Sequence, residues 1–148
     1  MNDDERRRAG TRVRRQVLGD GHVDRAQARE NPFTAEFHDL IKRYAWGEIW
    51  TRPGLDIRTR RVLVIGTLLA LGRWEEFEMH VRAALAEGGF SADDVKEIVL
   101  QQAIYCGVPA AHAALTRAEA ILATRGPAPR AAARGATRKS RAVKRRPV

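Results

Sequence analysis

Two segments hold residue types that could do chemistry. The first is Leu71–Leu85, LGRWEEFEMHVRAAL. On a helix, at about 100° per residue, Arg73, Glu76 and His80 fall within a wedge of ~60°. Glu76 and His80 stand at i, i+4 and can hydrogen-bond. The wedge overlaps Phe77 and Ala84, so the trio is expected to point towards an apolar region. A cation, a carboxylate and an imidazole held together away from water shift one another's pKa values and can move a proton. The plainer alternative is a helix edge where His80 reaches to solvent and Glu76 pairs with Arg73.

The second segment is Arg43–Asp56, RYAWGEIWTRPGLD. Trp46 and Trp50 stand just before a Pro-Gly break. With Arg52 and Arg58 they could wall a pocket for a small anionic ring, the indoles giving flat apolar faces and the guanidinium forks taking carboxylates. Alternatively, the two tryptophans plug a junction between helices. His22 lies in a Gly-rich turn, and His38 and His112 sit beside polar neighbours, where solvated faces suffice to explain them. Cys106 is the sole cysteine. It excludes an internal disulfide and any multi-cysteine metal site, and reads as a small buried hydrophobe. There is no Gly-rich phosphate loop, His-Glu-x-x-His pair or Gly-x-Ser-x-Gly elbow.

The elements that would carry these residues are helical. Phe33, Phe37, Leu40, Ile41 and Tyr44 form one apolar stripe at helical spacing. Pro53-Gly54 interrupts, and Asp56 can cap a second helix running through Leu71, apolar on nearly every side and therefore expected to be central. A third runs from about Arg73 to Glu87, with Phe77, Val81, Ala84 and Leu85 inward. Ser91 and Asp94 form a capping-box pattern opening a fourth, which reaches Cys106, and Pro109 suits the first turn of a fifth, ending at Thr124. Strand signals are almost absent, so the expected class is all-α with short loops between antiparallel neighbours.

The chain has 148 residues, of which 44% are hydrophobic and 30% charged, enough apolar material for one folded domain. The net charge of +9 is unevenly placed: residues 1–124 hold 18 basic and 18 acidic side chains, and the last 24 residues hold 9 basic and no acidic ones. Three zones are expected: an N-terminal arm over residues 1–30 with one apolar cluster at Val13, Val17 and Leu18, a helical body over 31–124, and a disordered basic tail over 125–148. That tail can attract polyanions weakly and without sequence preference. The apolar run Val62–Leu71 is too short to span a bilayer, and the charged start Met1–Arg8 does not read as a signal peptide, so a cytoplasmic protein without membrane association is expected.

RYAWGEIWTRPGLD, the helix ending EEFEMHVRAAL, VKEIVLQQAIYCGVPAA (Val95–Ala111) and RRQVLGDGHVDR (Arg14–Arg25) together resemble the carboxymuconolactone decarboxylase family. The resemblance covers about Arg7 to Thr124. It implies an all-α fold of the alkylhydroperoxidase-like type, subunits assembling into rings, commonly hexamers, and no cofactor. It further implies decarboxylation of a small dianionic lactone, 4-carboxymuconolactone, in protocatechuate catabolism. Peroxidase relatives carry two cysteines four and seven residues before a histidine. Here those positions are Glu76 and Arg73, so thiol chemistry of that kind is excluded. In these terms His80 is the expected proton donor, with Glu76 orienting it or repelling the leaving carboxylate. Arg73, Arg52 and Arg58 compete to hold the anion, and Trp46 and Trp50 to form the walls. The alternatives are a related decarboxylase acting on another lactone or β-keto acid, and a polyanion-binding protein using the tail.

Overall fold

A computed structural model describes residues 1–125. Its elements are the helices α1 (Asp3–Leu18), α2 (Asp20–Ala28), α3 (Ala35–Ile41), α4 (Ile57–Ala70), α5 (Trp74–Ala86), α6 (Ala92–Cys106) and α7 (Val108–Thr124). A π-helical segment, Lys42–Ile49, continues α3. No strand occurs among the described residues, so the all-α expectation stands. The basic tail lies beyond them, apart from Arg125.

The helix boundaries follow from local chemistry. Asp56 caps α4, its Oδ1 accepting from the Thr59 amide at 2.7 Å. Ser91 and Asp94 form the anticipated capping box: the Asp94 amide donates to Ser91 Oγ at 3.1 Å and the Ser91 amide to Asp94 Oδ2 at 2.8 Å. Asn2 and Glu5 make a second box at the start of α1. That helix was not anticipated, because its sequence is so rich in arginine that its apolar face reduces to Val13, Val17 and Leu18. The expected arm is thus two helices, α1 and α2, meeting at a corner where Gly19 takes φ +83°.

Two apolar clusters make up the interior. The larger joins α4–α7 through Ile65, Leu69, Phe77, Val81, Ala84, Val99, Ala114 and Ile121, and contains the four inward residues expected of α5. The smaller gathers Val13, Val17, Leu18 and Val23 around Trp46 and Ala83. Helix α5 belongs to both, with Ala83 on one side and Val81 and Ala84 on the other.

Helix α1 crosses the π-helical segment at backbone contact. A Cβ on Gly10 would collide with the carbonyl of Lys42, and one on Gly47 with the carbonyl of Arg6. Ion pairs flank this crossing. Arg7 grips Asp39 with Nε at 2.7 Å and Nη2 at 3.2 Å, Arg43 Nε reaches the same carboxylate at 2.8 Å, and Arg6 Nε reaches Glu48 at 2.8 Å. Arg7 and Arg43 together hold the Asp39 carboxyl down at about 2.

One expectation needs correction. Helix α4 is not covered on every side: Val62 and Leu63 are exposed, as is Leu71 just after its end. The Phe33–Tyr44 stripe is also open, with Phe33 94% and Phe37 61% exposed. Helical periodicity shows that a face is apolar but not what covers it, and this single chain leaves both faces uncovered.

Candidate active site

Among the described residues two polar side chains are buried, Arg61 and His80. His80 lies in the middle of α5, 7% exposed, its ring parallel to that of Trp50 (interplanar angle 7°, centroids 6.5 Å apart). Trp50 in turn stacks on Trp46 at 5.1 Å. The π-helical segment and the residue after it thus deliver both tryptophans to one histidine, a three-ring stack. Trp46 is also part of the smaller cluster, packed with residues of α1 and α2.

His80 Nδ1 is buried with no hydrogen-bond partner. Burial holds the imidazole down at about 4; the positive charges of Arg61 and His22 act in the same direction, and the negative charge of Glu76 opposes them. His80 is therefore neutral in the free site at pH 7. His22, half-buried at the start of α2, is also lowered, first by burial and then by Arg14, Arg25 and Arg29. His22 and Glu87 border a cavity of about 410 Å³ between α2 and the far side of α5; His80 does not line it.

The remaining expected site residues divide. Glu76 makes no hydrogen bond to His80, and both Glu76 and Arg73 are exposed, so the expected inward-pointing trio reduces to His80 alone. The local reason is position. Arg73 is the N-cap of α5, with ψ 77°, and Glu76 stands in the first turn, where side chains lean out past the helix end. Glu76 acts on His80 through charge only. Arg58 is engaged elsewhere: its Nη2 meets Asp94 Oδ1 at 2.7 Å and its guanidinium lies 4.2 Å from the centroid of the Phe90 ring. It ties α4 to the start of α6. Arg52 is exposed in the loop after Trp50, where its carbonyl accepts from Arg60 Nη2 at 3.0 Å.

Sequence reasoning missed two basic residues with buried, unpartnered nitrogens. Arg61 is only 2% exposed, and its Nε and Nη1 have no partner. Arg14, half-buried on α1, has an unpartnered Nε. The signal for Arg61 was available: Arg61, Ile65 and Leu69 stand at i, i+4 and i+8, so an arginine lies on the buried stripe of α4. Cys106 is half-buried and not wholly enclosed as expected; its Sγ lies 3.0 Å from Gln102 Oε1. Among the described residues no group of His, Cys, Asp and Glu is placed to hold a metal ion.

An all-helical body carrying a buried, aromatic-stacked histidine on its central helix, with no thiol pair before it, defines a class. The family model described as "Carboxymuconolactone decarboxylase family" matches residues 35–120, and the chain belongs to that family. It is 44% identical over 129 residues to 4-carboxymuconolactone decarboxylase of Acinetobacter baylyi, a match covering 87% of this chain and 96% of the relative. It is 39% identical over 111 residues to nitrosuccinic acid decarboxylase of Metarhizium robertsii, covering 73% of this chain and 77% of that one. A 48-residue 4-carboxymuconolactone decarboxylase sequence from Pseudomonas putida is matched in full at 48% identity.

Proposed function

We propose that this chain is a cytoplasmic carboxy-lyase that converts 4-carboxymuconolactone to the β-ketoadipate enol-lactone, with His80 as proton donor. The observation that carries the reading is the Trp46–Trp50–His80 stack, a flat apolar wall ending in a titratable ring at a buried seam. In the reaction the bond between the ring carbon and its carboxylate breaks and carbon dioxide leaves. The electron pair moves through the ring double bond to the lactone carbonyl, giving an enolate. A proton then adds to the carbon next to that carbonyl. The lactone is its own electron sink, so the reading takes no cofactor.

The protein must hold the retained carboxylate, keep water out, and supply the proton. The seam supplies the dry wall, because charge becomes more dispersed as carbon dioxide departs and a less polar surrounding favours that change. His80 enters neutral, and a bound dianion opposes the burial and the cationic neighbours that hold it so, drawing a proton onto the ring as substrate arrives. Glu76 assists the same loading through its charge. Of the arginines first considered for the anion, Arg73 and Arg52 remain open to solvent.

The test is direct. Purified protein mixed with 4-carboxymuconolactone, generated in place from protocatechuate by upstream enzymes, should abolish the lactone's ultraviolet absorbance at catalytic protein concentration. No turnover by folded protein overturns the assignment. The similarity to a nitrosuccinic acid decarboxylase favours one second reading, a related decarboxylase with another carboxylate substrate. Carbon dioxide release from nitrosuccinate, with none from the lactone, would select it.

The same reading includes a homo-oligomer, with the hexameric ring of the family resemblance as the expected form. The uncovered apolar faces support it: Phe33, Phe37, Leu40 and Tyr44 on one side, and Ile104, Tyr105 and Val108 at the α6–α7 corner, are all substantially exposed in the single chain.

A further inference from the structure

Arg61 presents a physical problem that its surroundings do not solve. A guanidinium carries five N–H donors and a permanent charge. This one is 2% exposed, yet no carboxylate lies within ion-pair distance of it among the described residues. Its one hydrogen bond runs from Nη2 to the carbonyl of Gln16 in α1, at 3.3 Å. Nε and Nη1 are sealed from water without an acceptor. A buried cation in this state is costly unless something completes it. The chain also leaves room for it. A Cβ on Gly88 would stand 2.9 Å from Arg61 Nε and 2.9 Å from the Ala84 carbonyl, so at this place the end of α5 accepts a glycine and little else.

The unpaired donors do not stand alone. Arg14 Nε and His80 Nδ1 are likewise buried and unpartnered, and the three side chains come from α1, α4 and α5. Arg61 lies close enough to His80 for its charge to act on the imidazole. Arg61 and His80 thus bring unsatisfied nitrogens from α4 and α5 within electrostatic reach of each other, and a carboxylate would complete the guanidinium.

We propose that Arg61, which the sequence reading passed over in favour of Arg73, Arg52 and Arg58, is the anchor for the carboxylate that the substrate retains. The inference rests on the decarboxylase reading for the identity of the substrate but not for the presence of an anion site. The retained carboxylate is the right partner on energetic grounds. A strong ion pair with the leaving carboxylate would be lost as carbon dioxide forms and would stabilise the starting state. A pair with the retained group persists through the transition state and acts as uniform binding.

That distinction sets the experiment. Succinate serves as a dicarboxylate probe in thermal unfolding of the full-length protein, with wild type, Arg61→Met and Arg61→Lys compared. Wild type should be stabilised by millimolar succinate, Arg61→Met should lose the stabilisation, and Arg61→Lys should keep part of it. Without succinate, Arg61→Met should melt no lower than wild type, because an unpaired buried charge has been replaced by an apolar chain of similar length. Turnover with the lactone should show KM raised about 10- to 100-fold in Arg61→Met, the range of a charge-assisted pair, with kcat changed far less. The proposal is overturned if succinate fails to stabilise wild type, or if Arg61→Met keeps the succinate effect. It is equally overturned if Arg61→Met melts well below wild type with or without the anion, which would make Arg61 structural. Should the lactone not turn over at all while the succinate result holds, the substrate assignment fails and the anion site stands.

Discussion

At the scale of single residues, the proposed mechanism rests on His80. Replacing it with alanine should lower kcat by at least ~100-fold while circular dichroism keeps the helix signal, the size expected of a positioned proton donor. Near-normal turnover would remove it from the mechanism. Because the free imidazole is held at about 4, kcat/KM should fall as pH rises above that value. The limb of kcat should lie at higher pH, since the bound dianion raises the ring's affinity for a proton. Glu76→Gln removes a charge that opposes the depression of His80, so it should move both limbs to lower pH without abolishing turnover. The same depression makes a stability statement. The unfolded chain takes up this proton near pH 6.5 and the folded chain only near 4, so stability present above pH 6.5 is lost as pH falls between those values. The loss should be on the order of 3 kcal/mol in wild type relative to His80→Phe, read from denaturant midpoints at pH 7 and pH 4.

At the scale of elements, the crossing of α1 over the π-helical segment positions the tryptophans. Gly47→Ala forces a methyl group against the Arg6 carbonyl. It should cost about 1–3 kcal/mol of stability and weaken Trp50 packing on His80, visible as altered tryptophan fluorescence. An unchanged melting temperature would mean that the crossing can open freely. The helices of the body were legible because each carries its own punctuation: Asp56 before α4, Ser91 and Asp94 before α6, and the periodic apolar residues within α5. The first two helices were not, because a face of three apolar residues among arginines looks the same whether it packs or stays solvated. His80, Trp46 and Trp50 could be picked out by residue type and spacing. Arg61 was hidden by the company it keeps, in a segment read for its hydrophobicity. The Arg58–Asp94 pair was not legible because sequence gives a guanidinium no address, and Asp94 is 36 residues away.

At the scale of the whole molecule, the single chain is incomplete in surface terms. Phe37 and Ile104, 61% and 81% exposed, belong to faces that a soluble monomer would be expected to cover. Sedimentation at micromolar concentration should give an oligomer, and Phe37→Glu or Ile104→Glu should shift it towards smaller species. A stable wild-type monomer would contradict this. The excess positive charge lies in residues 125–148, so their removal should abolish any retention on polyanions at low salt and leave kcat unchanged.

One consequence of the two-cluster interior concerns how the protein comes apart. Helix α5 is shared, but α1 and α2 hold only the smaller cluster, with α1 tied further by the Arg7–Asp39 and Arg6–Glu48 pairs. They form the natural unit to detach first while α4–α7 stay folded. Native-state amide exchange should then show α1 and α2 opening at a lower free energy than α5. The first step of unfolding would lay Trp50 and His80 bare with the main core still intact, so activity would be lost before the fold is.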